Sequence, residues 1–392
     1  MCGLAGLLRA TPDTQAARLE TLAGAMGDAL EHRGPDDRGV WVDEEAGIGL
    51  AHRRLSILDL SPLGHQPMAS ENQRFVAVYN AEIYNFAELR EVLVARGHEF
   101  RGHSDTEVLL AAVMEWGVEE AVSRCNGMFA VALWDRQERR LWLARDRVGK
   151  KPLYYGWAGS TFVFGSELKA LWRHPAFDNG VDPDALALLL RLDYIPAPHA
   201  IHVDTFKLQP GSLLCIDALA VALGAAEHDP HRDQRRYWDP RERMRVALSQ
   251  PFAGDVLEAE NHLDELLRDS VALRMVADVP VGVFLSGGTD SSVVTALMQA
   301  QSRHPVRSFT IGFERSHHDE AHLAREVAEH LHTQHTELYV SGADALGVVP
   351  ALPAMFDEPF ADASQVPTAL VARLARTAVT VALSGDGGDE LF

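Results

Sequence analysis

Val279-Pro280-Val281-Gly282-Val283-Phe284-Leu285-Ser286-Gly287-Gly288-Thr289-Asp290-Ser291-Ser292 is the stretch that decides the architecture of the second half of the chain. The apolar run Val279 to Leu285 has the length and β-branched content of a buried strand, and it breaks at Ser286-Gly287-Gly288. Beyond Ser291, the residues Val293, Val294, Leu297 and Ala300 recur at helical spacing and predict a helix that buries those four on one face. A strand, a glycine-rich turn and a helix N-terminus make an anion site, because free backbone N–H groups point outward and the helix dipole favours negative charge. Ser286, Ser291 and Ser292 add hydroxyl donors, and Asp290, which would repel a bare phosphate, suits a Mg²⁺ bound with it. The lysine of Gly-x-x-x-x-Gly-Lys-Ser/Thr is missing, so this is a phosphate loop of another kind.

Outward from that stretch the pattern stays α/β. A helix carrying Leu263, Leu266, Leu267, Val271 and Leu273 precedes it. After it come a strand at Val306–Phe313, an amphipathic helix from Asp319 to Leu331, and a strand at Thr336–Val340. Helices around Ala345–Phe356 and Thr368–Ala378 lead to a last strand, Val379–Leu383. Strands alternating with helices predict a doubly wound parallel sheet whose ligands sit at the carboxyl ends of strands. Two loops lie at such ends: Leu285-Ser286-Gly287 and Leu383-Ser384-Gly385. The second runs Ser384-Gly385-Asp386-Gly387-Gly388-Asp389-Glu390, and with Asp290 it supplies carboxylates for a divalent cation.

The first half reads differently. It opens Met1-Cys2-Gly3-Leu4-Ala5-Gly6, and removal of Met1 would leave Cys2 with both a thiol and an α-amine. That amine, with an ordinary pKa of about 8, can take the thiol proton, so a terminal cysteine serves as its own base. Separated polar motifs follow: His32-Arg33-Gly34-Pro35-Asp36, then Arg54-Leu55-Ser56-Ile57-Leu58, then a strand running into Asn80-Ala81-Glu82. Ser104-Asp105-Thr106-Glu107 reads as a capping-box-like start to an apolar helix, Val108 to Trp116. Met128–Trp134 and Leu141–Ala144 flank a charged turn and predict a hairpin; Thr161–Phe164 is a further strand before Gly165-Ser166-Glu167-Leu168-Lys169. Cys125 and Cys215 have no base beside them in sequence and read as structural.

Composition bounds the rest. The 392 residues suffice for two or three domains, and 56 acidic against 36 basic residues (net charge −20) argue against non-specific nucleic-acid binding. No apolar run is long enough for a membrane span, the sequence does not open on a basic-then-apolar pattern, and three cysteines without a pairing pattern predict a reducing, cytoplasmic setting. Residues 225–256 are rich in Asp, His, Arg and Pro; His228 and His231 have no cysteine near them, so a solvated linker is expected there rather than a metal site.

The Ser-Gly-Gly-x-Asp-Ser run resembles the pyrophosphate loop of the N-type ATP pyrophosphatases. The Met-Cys-Gly start and the ordered motifs after it resemble the class II glutamine amidotransferase domain. With Ser-Gly-Asp-Gly-Gly-Asp-Glu added, nearly the whole chain resembles the glutamine-hydrolysing asparagine synthetase family. That resemblance implies an Ntn-type αββα sandwich over residues 2–212, a linker over 213–256, and a doubly wound parallel-sheet ATP pyrophosphatase domain over 257–392. Because the chain stops at Phe392 inside the second motif's usual continuation, the last domain is expected to be incomplete. The implied substrates are glutamine, ATP and a carboxylate acceptor, aspartate by default, with Mg²⁺ as cofactor. Ammonia would pass internally from one site to the other; neither nucleic acid nor membrane is a partner, and a homodimer is compatible with the family. The same chemistry on another acid, in sugar or antibiotic pathways, and a non-catalytic glutamine- or nucleotide-binding module are the alternatives.

Residue by residue, the resemblance makes Cys2 the nucleophile on the glutamine amide and Asn80 the oxyanion-hole side chain. Arg54, with Leu55, Ser56, Ile57 and Leu58 beside it, corresponds to the arginine on the substrate α-carboxylate, and Asp105 with Glu82 to the acceptors of its α-ammonium. Leu285, Ser286, Gly287, Gly288, Asp290, Ser291, Ser292, Ile311, Ser384 and Gly385 fall on the ATP site, Asp290 and Asp389 on the metal, and Asp386 on the acid needed for acyl-adenylate formation. Ala81 stands where the family has glycine. Alanine keeps the N–H; if the backbone there needs a positive φ, it is strained by about 1–2 kcal/mol, and Ala81→Gly is then expected to raise glutamine turnover by at most roughly tenfold. The segment Asp357–Pro367 matches the acceptor side but lacks the arginine found there in some asparagine synthetases.

Overall fold

Alternation of side chains along short strands builds the N-terminal half in the computed structural model, which describes residues 1–10, 16–229, 231–313 and 320–389. Two compact units are present: Met1–Ser249 together with Asp357–Phe360, and the remainder of the chain from Gln250.

The first unit contains two six-stranded sheets. One has the order Thr205–Lys207, Tyr154–Ala158, Thr161–Gly165, Gly3–Arg9, Ile48–Arg54, Asp37–Asp43; the other runs Arg235–Arg236, Ser212–Asp217, Arg140–Arg145, Gly127–Asp135, Phe75–Ile83, Met68–Ala69. Every pairing in both is antiparallel. Leu4 and Leu8 point between the sheets with Val76, Val78, Trp134 and Leu143. Ala5 and Leu7, one position out of phase, face Leu19 and Met26 of the helix Ala16–Asp28. On the far side Ala77, Tyr79, Val131 and Leu133 meet Leu89, Leu93, Val108 and Leu109 of the helices Phe86–Ala95 and Asp105–Trp116. The period-2 strands thus bury both faces, and the layers are αββα.

His52, fully buried, joins the two sheets by donating Nε2–H to the Tyr79 carbonyl at 2.9 Å. Burial pushes its pKa down to about 3, against the smaller upward pull of that hydrogen bond. Between about pH 3 and the ordinary value of about 6.5 the unfolded chain binds a proton that the native state refuses, so stability rises with pH across that window, by up to ~1.4 kcal/mol per pH unit. His52→Gln retains a donor at the same position without a titrating group. Urea midpoints at pH 4 and pH 6 are expected to lie closer together in the variant than in wild type.

The expected boundary moves. Residues 213–256 are not a linker throughout: Ser212–Asp217 pairs with Arg140–Arg145, and Arg235–Arg236 adds an edge strand to it. His228 lies among Tyr155, Trp157 and Phe206, with its ring centroid 4.9 Å from that of Trp157, and it bonds the Tyr155 hydroxyl at 3.1 Å. Its polar sequence neighbours conceal that aromatic socket, which comes from strands far away in the chain. The helix Pro240–Ser249, with no buried residue, is the part that is solvated as expected; Pro230 lies outside the described residues.

The second unit carries four parallel strands in the order Gln334–Val340, Arg307–Phe313, Val281–Phe284, Val381–Leu383. Val283 packs with Val271, Leu297 and Met298 from the helices Val256–Arg274 and Thr289–Gln301, whereas Phe284 and Phe309 pack with Ala375 and Val371 of Gln365–Ala375 on the opposite face. The sheet is therefore doubly wound. Its order reverses at Val281–Phe284, flanked by Arg307–Phe313 and Val381–Leu383, so the carboxyl ends of the first and last strands open at a topological switch point.

Two local expectations change. In Thr289–Gln301 the buried residues are Ser291, Thr295, Leu297 and Met298, while Val293 and Ala300 face outward. The hydroxyls of Ser291 and Thr295 bond within the turn and so bury at no cost in unmet polarity: Thr295 Oγ1 donates to Ser291 O at 2.7 Å. The helix expected over Ala345–Phe356 is broken into Gly342–Val348, a 3₁₀ turn and Leu352–Met355, since Pro350 and Pro353 cannot donate to a continuous ladder. The start expected at Asp319 for the amphipathic helix ending at Leu331 lies outside the described residues; the helix itself is observed as Ala321–Leu331.

Candidate active sites

Cys2 enters the strand Gly3–Arg9, and its thiol donates to Leu55 O at 3.7 Å. The loop after Ile48–Arg54 thus runs beside the sulfur. That loop is held from several sides: Asp36 Oδ2 accepts Ser56 N–H at 2.9 Å, and Asp36 N–H bonds Arg54 O at 2.9 Å, which ties the His32–Asp36 turn to Leu55–Leu58. Burial pushes the Cys2 thiol up, opposed by the adjacent terminal amine. With Met1 attached that amine is Met1's, and its burial pushes it down to about 5, so at neutral pH it is an unprotonated base.

The strand Phe75–Ile83 places the next groups by parity. Phe129, opposite Ala81, spends both its N–H (on Asp146 Oδ2, 3.1 Å) and its C=O (on Asp146 N–H, 2.8 Å) away from this strand. Ala81 therefore directs its own N–H to the other edge. Its two same-parity neighbours are both satisfied there: Tyr79 N–H by Gln66 Oε1 at 2.8 Å and Ile83 N–H by Asp105 Oδ2 at 2.9 Å. Between them the Ala81 N–H has no acceptor among the described hydrogen bonds outside the sheet ladders. One residue back, Asn80 shares a face with Val76 and Val78 and points between the sheets. It is buried, and its Nδ2 has no partner among the described residues. A buried amide donor left unpaired costs about 1–3 kcal/mol, which is tolerated where it serves a ligand.

The supposed strain at Ala81 is absent. Among the described residues the non-glycine positions with positive φ are Asp59, Gln73, Arg139, Asp193, Asp204 and His332. Ala81 is an ordinary strand residue, so the expectation that glycine would relieve it is withdrawn.

Asp105 lies near enough to Glu82 for its charge to act on it. Asp105, at the start of its helix behind the N-cap Ser104, accepts Ile83 N–H and the Tyr79 hydroxyl. Burial raises its pKa. Glu82 is pushed up to about 8 by burial first and then by the Asp105 charge; Lys151 and the terminal amine oppose this. Arg54 differs from a free carboxylate fork: its Nη2 donates to Leu58 O (3.0 Å) and Asp59 O (2.5 Å), and its Nη1 to Ser61 O (3.3 Å), so it braces the loop. Cys125 is buried with its thiol on Ala121 O, and its pKa is pushed up to about 12 by burial, as befits a structural cysteine; Cys215 is exposed instead.

Sequence reasoning passed over Lys151, which is buried and lies close enough for its charge to act on Cys2 and Glu82. The signal was available in Arg145-Asp146-Arg147-Val148-Gly149-Lys150-Lys151. Asp146 Oδ1 takes the N–H groups of Val148 (3.2 Å) and Lys150 (2.9 Å), and Oδ2 takes that of Lys151 (3.0 Å), a local turn that delivers one lysine inward.

In the second unit the two glycine loops meet at the N-terminus of Thr289–Gln301. Gly287 has φ +87°, and a Cβ there would lie 2.7 Å from Ala324 N, so conformation and space both require glycine. Ser286 Oγ and Ser291 Oγ bond each other at 2.9 Å, and Ser286 N–H reaches Ser291 Oγ at 3.1 Å, which curls the loop over the helix end. The Ser292 hydroxyl is buried without a partner among the described residues. A Cβ on Gly385 would come within 2.7 Å of Ser291 N, and one on Gly388 within 2.3 Å of Asp290 Oδ2, so Ser384–Asp389 lies directly over Asp290. Ser384 donates to Asp386 Oδ2 at 3.0 Å. Leu285 is buried at the strand end and Ile311 is half-buried in the neighbouring strand. Glu390 lies outside the described residues. Among the described residues no three His, Cys, Asp or Glu side chains form a metal-holding group. No helix among them is long and apolar enough to cross a membrane.

Residues 1–228 match the family described as glutamine amidotransferase domain, and residues 262–392 the family described as asparagine synthase. The chain is 35% identical to a putative glutamine-hydrolysing asparagine synthetase 2 of Methanocaldococcus jannaschii, covering 100% of this chain and 75% of that protein. It is 36% identical to the glutamine-hydrolysing asparagine synthetase 1 of Bacillus subtilis, covering 100% of this chain and 58% of that protein. Among solved structures, the glutamine phosphoribosylpyrophosphate amidotransferase of B. subtilis aligns with a TM-score of 0.43 and 15% identity, covering 87% of this chain and 66% of that one. On an identity to these relatives that extends along the whole of this chain, and on both domain matches, the chain belongs to the glutamine-hydrolysing asparagine synthetase family.

Proposed function

We propose that the chain carries a glutamine-dependent, ATP-consuming amidotransferase activity that turns a carboxylate, aspartate by default, into its amide. The single observation that carries the glutaminase half is the unpaired, buried Nδ2 of Asn80 beside the edge-directed Ala81 N–H, in the unit that also holds Cys2. In this reading the Cys2 sulfur, its proton passed to the neighbouring amine, adds to the glutamine side-chain carbonyl. Asn80 Nδ2 and Ala81 N–H take the developing oxyanion. Collapse expels ammonia, and water releases glutamate from the thioester. Glu82 and Asp105 hold the substrate α-ammonium, and the loop Arg54–Leu58 shapes the α-carboxylate end.

In the second unit, the N–H groups of the Ser286–Gly288 turn and the Ser291 and Ser292 hydroxyls bind the pyrophosphate portion of ATP. The acceptor carboxylate displaces pyrophosphate from the α-phosphate, and ammonia then displaces AMP. Asp290 and Asp389 would hold Mg²⁺, which when bound neutralises the phosphates that no lysine of this loop reaches; their hard oxygen donors fit that ion. Asp386 assists the acyl transfer. Asp290→Asn is expected to abolish ATP–pyrophosphate exchange while leaving glutamate release within about twofold of wild type. Normal exchange in that variant would remove Asp290 from the phosphate site.

The chain spans about three-fifths to three-quarters of the length of these relatives, so the acceptor belongs to this proposal alone. An acid other than aspartate is the second reading. Asp357–Pro367 has no arginine to pair with an acceptor carboxylate. Two of its three acidic residues, Asp357 and Glu358, are paired with Lys169 and Lys207. Exchange of labelled pyrophosphate into ATP, screened across amino and sugar acids, separates the readings: exchange with aspartate alone supports the default, and exchange with another acid alone replaces it.

A further inference from the structure

The turn Ser166–Glu167, between the strand Thr161–Gly165 and the short helix Leu168–Leu171, holds the start of the first strand at two points. Ser166 N–H donates to Leu4 O at 2.9 Å, and Leu4 N–H donates to Ser166 Oγ at 3.1 Å. Glu167 reaches two residues further back, through Arg33. Its Oε1 accepts Arg33 Nη1 at 2.5 Å, and Arg33 Nε donates to the carbonyl of Cys2 at 3.0 Å. Its Oε2 meets His32 Nε2 at 2.9 Å and Lys169 Nζ at 2.5 Å. Lys169 is shared: Nζ lies 3.0 Å from Asp357 Oδ1, and its own N–H bonds Asp357 Oδ2 at 3.1 Å. All these residues belong to the first unit.

We propose that Glu167 is a positioning residue for the Cys2 nucleophile, acting through the Arg33 guanidinium, and that Asp357 sets Glu167 through Lys169. The proposal rests on the reading of Cys2 as the glutaminase nucleophile.

The physical case has three parts. A residue at a chain end frays unless something beyond the strand ladder restrains it. Cys2 precedes the first paired residue, Gly3, and Arg33 is the side chain that grips its backbone carbonyl. Arginine is long and its charge is costly to bury, so its direction must be imposed by a partner. Glu167 imposes it, and the side chains of Arg33 and Glu167 are only 8% and 11% exposed. Finally, the cluster is charge-balanced, Arg33 and Lys169 against Glu167 and Asp357, and Lys169 bridges both carboxylates. Burial opposes the Glu167 charge, but the His32 hydrogen bond, the Arg33 charge and Lys169 outweigh it and hold the carboxyl at about 2, so Glu167 is anionic at any working pH. The segment Asp357–Phe360 is itself pinned by Glu358, which accepts Ile201 N–H at 2.7 Å and the Tyr154 hydroxyl at 3.1 Å and pairs with Lys207 at 2.5 Å. Asp357 is thus a fixed end for the relay.

The test uses the full chain and reads glutamate release from glutamine. Glu167→Gln is expected to lower kcat by about 10–100-fold with KM within threefold, the signature of a displaced reacting group rather than a lost substrate contact. Glu167→Asp is expected to recover part of the loss, and Asp357→Asn to lower kcat about three- to tenfold in the same direction. In an Arg33→Lys background Glu167→Gln is expected to add less than twofold, because both changes cut one connection. Full additivity with Arg33→Lys, or unchanged kcat in Glu167→Gln, overturns the proposal. If Glu167→Gln does not fold, Glu167→Asp and Asp357→Asn decide: reduced kcat at constant KM in both supports the relay, and wild-type kcat in both overturns it. Cys2→Ala is run alongside; undiminished glutamate release there would defeat the reading of Cys2 and leave the relay without a target, an outcome separate from a relay failure.

Discussion

Cys2→Ala is expected to lower glutamine hydrolysis by at least ~10³-fold while ammonia-driven amide formation persists at the wild-type level. The sulfur borders the loop after Ile48–Arg54 at Leu55, and the charges of Glu82 and Lys151 act on it. Burial keeps the resting thiol protonated, so the rate depends on a base beside it. Once Met1 is removed, the α-amine of Cys2 itself, with an ordinary pKa of about 8, can fill that role. The two glycine loops belong to another unit with its own sheet and its own cores. Glutamate release and ammonia-dependent AMP formation, measured on the same preparation of the full-length enzyme, check the prediction. Equal loss of both activities would show that the two chemistries are not separable in the way the two units imply.

How much could be read from the chain beforehand varied with how local the cause was. The parallel sheet was legible because each strand is a short apolar run followed by its own turn signal, as at Val281–Phe284 and Ser286-Gly287-Gly288. The hairpin Gly127–Asp135 to Arg140–Arg145 was legible for the same reason. The fate of residues 213–238 was not. Their Asp, His and Arg content reads as solvent-facing, and only the distant Tyr155, Trp157 and Phe206 turn His228 into a packed residue. The buried face of Thr289–Gln301 was misjudged because apolar character was the guide, whereas Ser291 and Thr295 bury by satisfying their hydroxyls locally. At the glutaminase site the residue types were visible as motifs, but the direction of the Ala81 N–H came only from the ladder to Phe129. Arg33 and Glu167 are 134 positions apart, and no periodicity connects them.

The ladder also yields the sharpest contrast between two adjacent positions. Asn80→Ala is expected to lower kcat for glutamine by about 10²–10³-fold with little change in KM, since an oxyanion donor acts on charge that develops only in the transition state. The side chain is buried, and its Nδ2 is left unpaired among the described residues, so removing it takes no structural hydrogen bond with it. Stability should therefore change little beyond the cavity left by a small amide. Ala81→Gly, one residue on, is expected to leave kcat within about twofold, because Ala81 is not at positive φ and both residues offer the same N–H. Its small penalty should appear instead in stability, of order 0.5–1 kcal/mol for glycine within a strand. Steady-state glutamate release and urea unfolding of the two variants separate these effects. A large gain in rate from Ala81→Gly would mean that the backbone at position 81 turns during catalysis into a conformation that alanine resists. A rate near wild type for Asn80→Ala would mean that its unpaired amide is not aimed at the reacting carbonyl, and the oxyanion would then have to be held by Ala81 N–H without it.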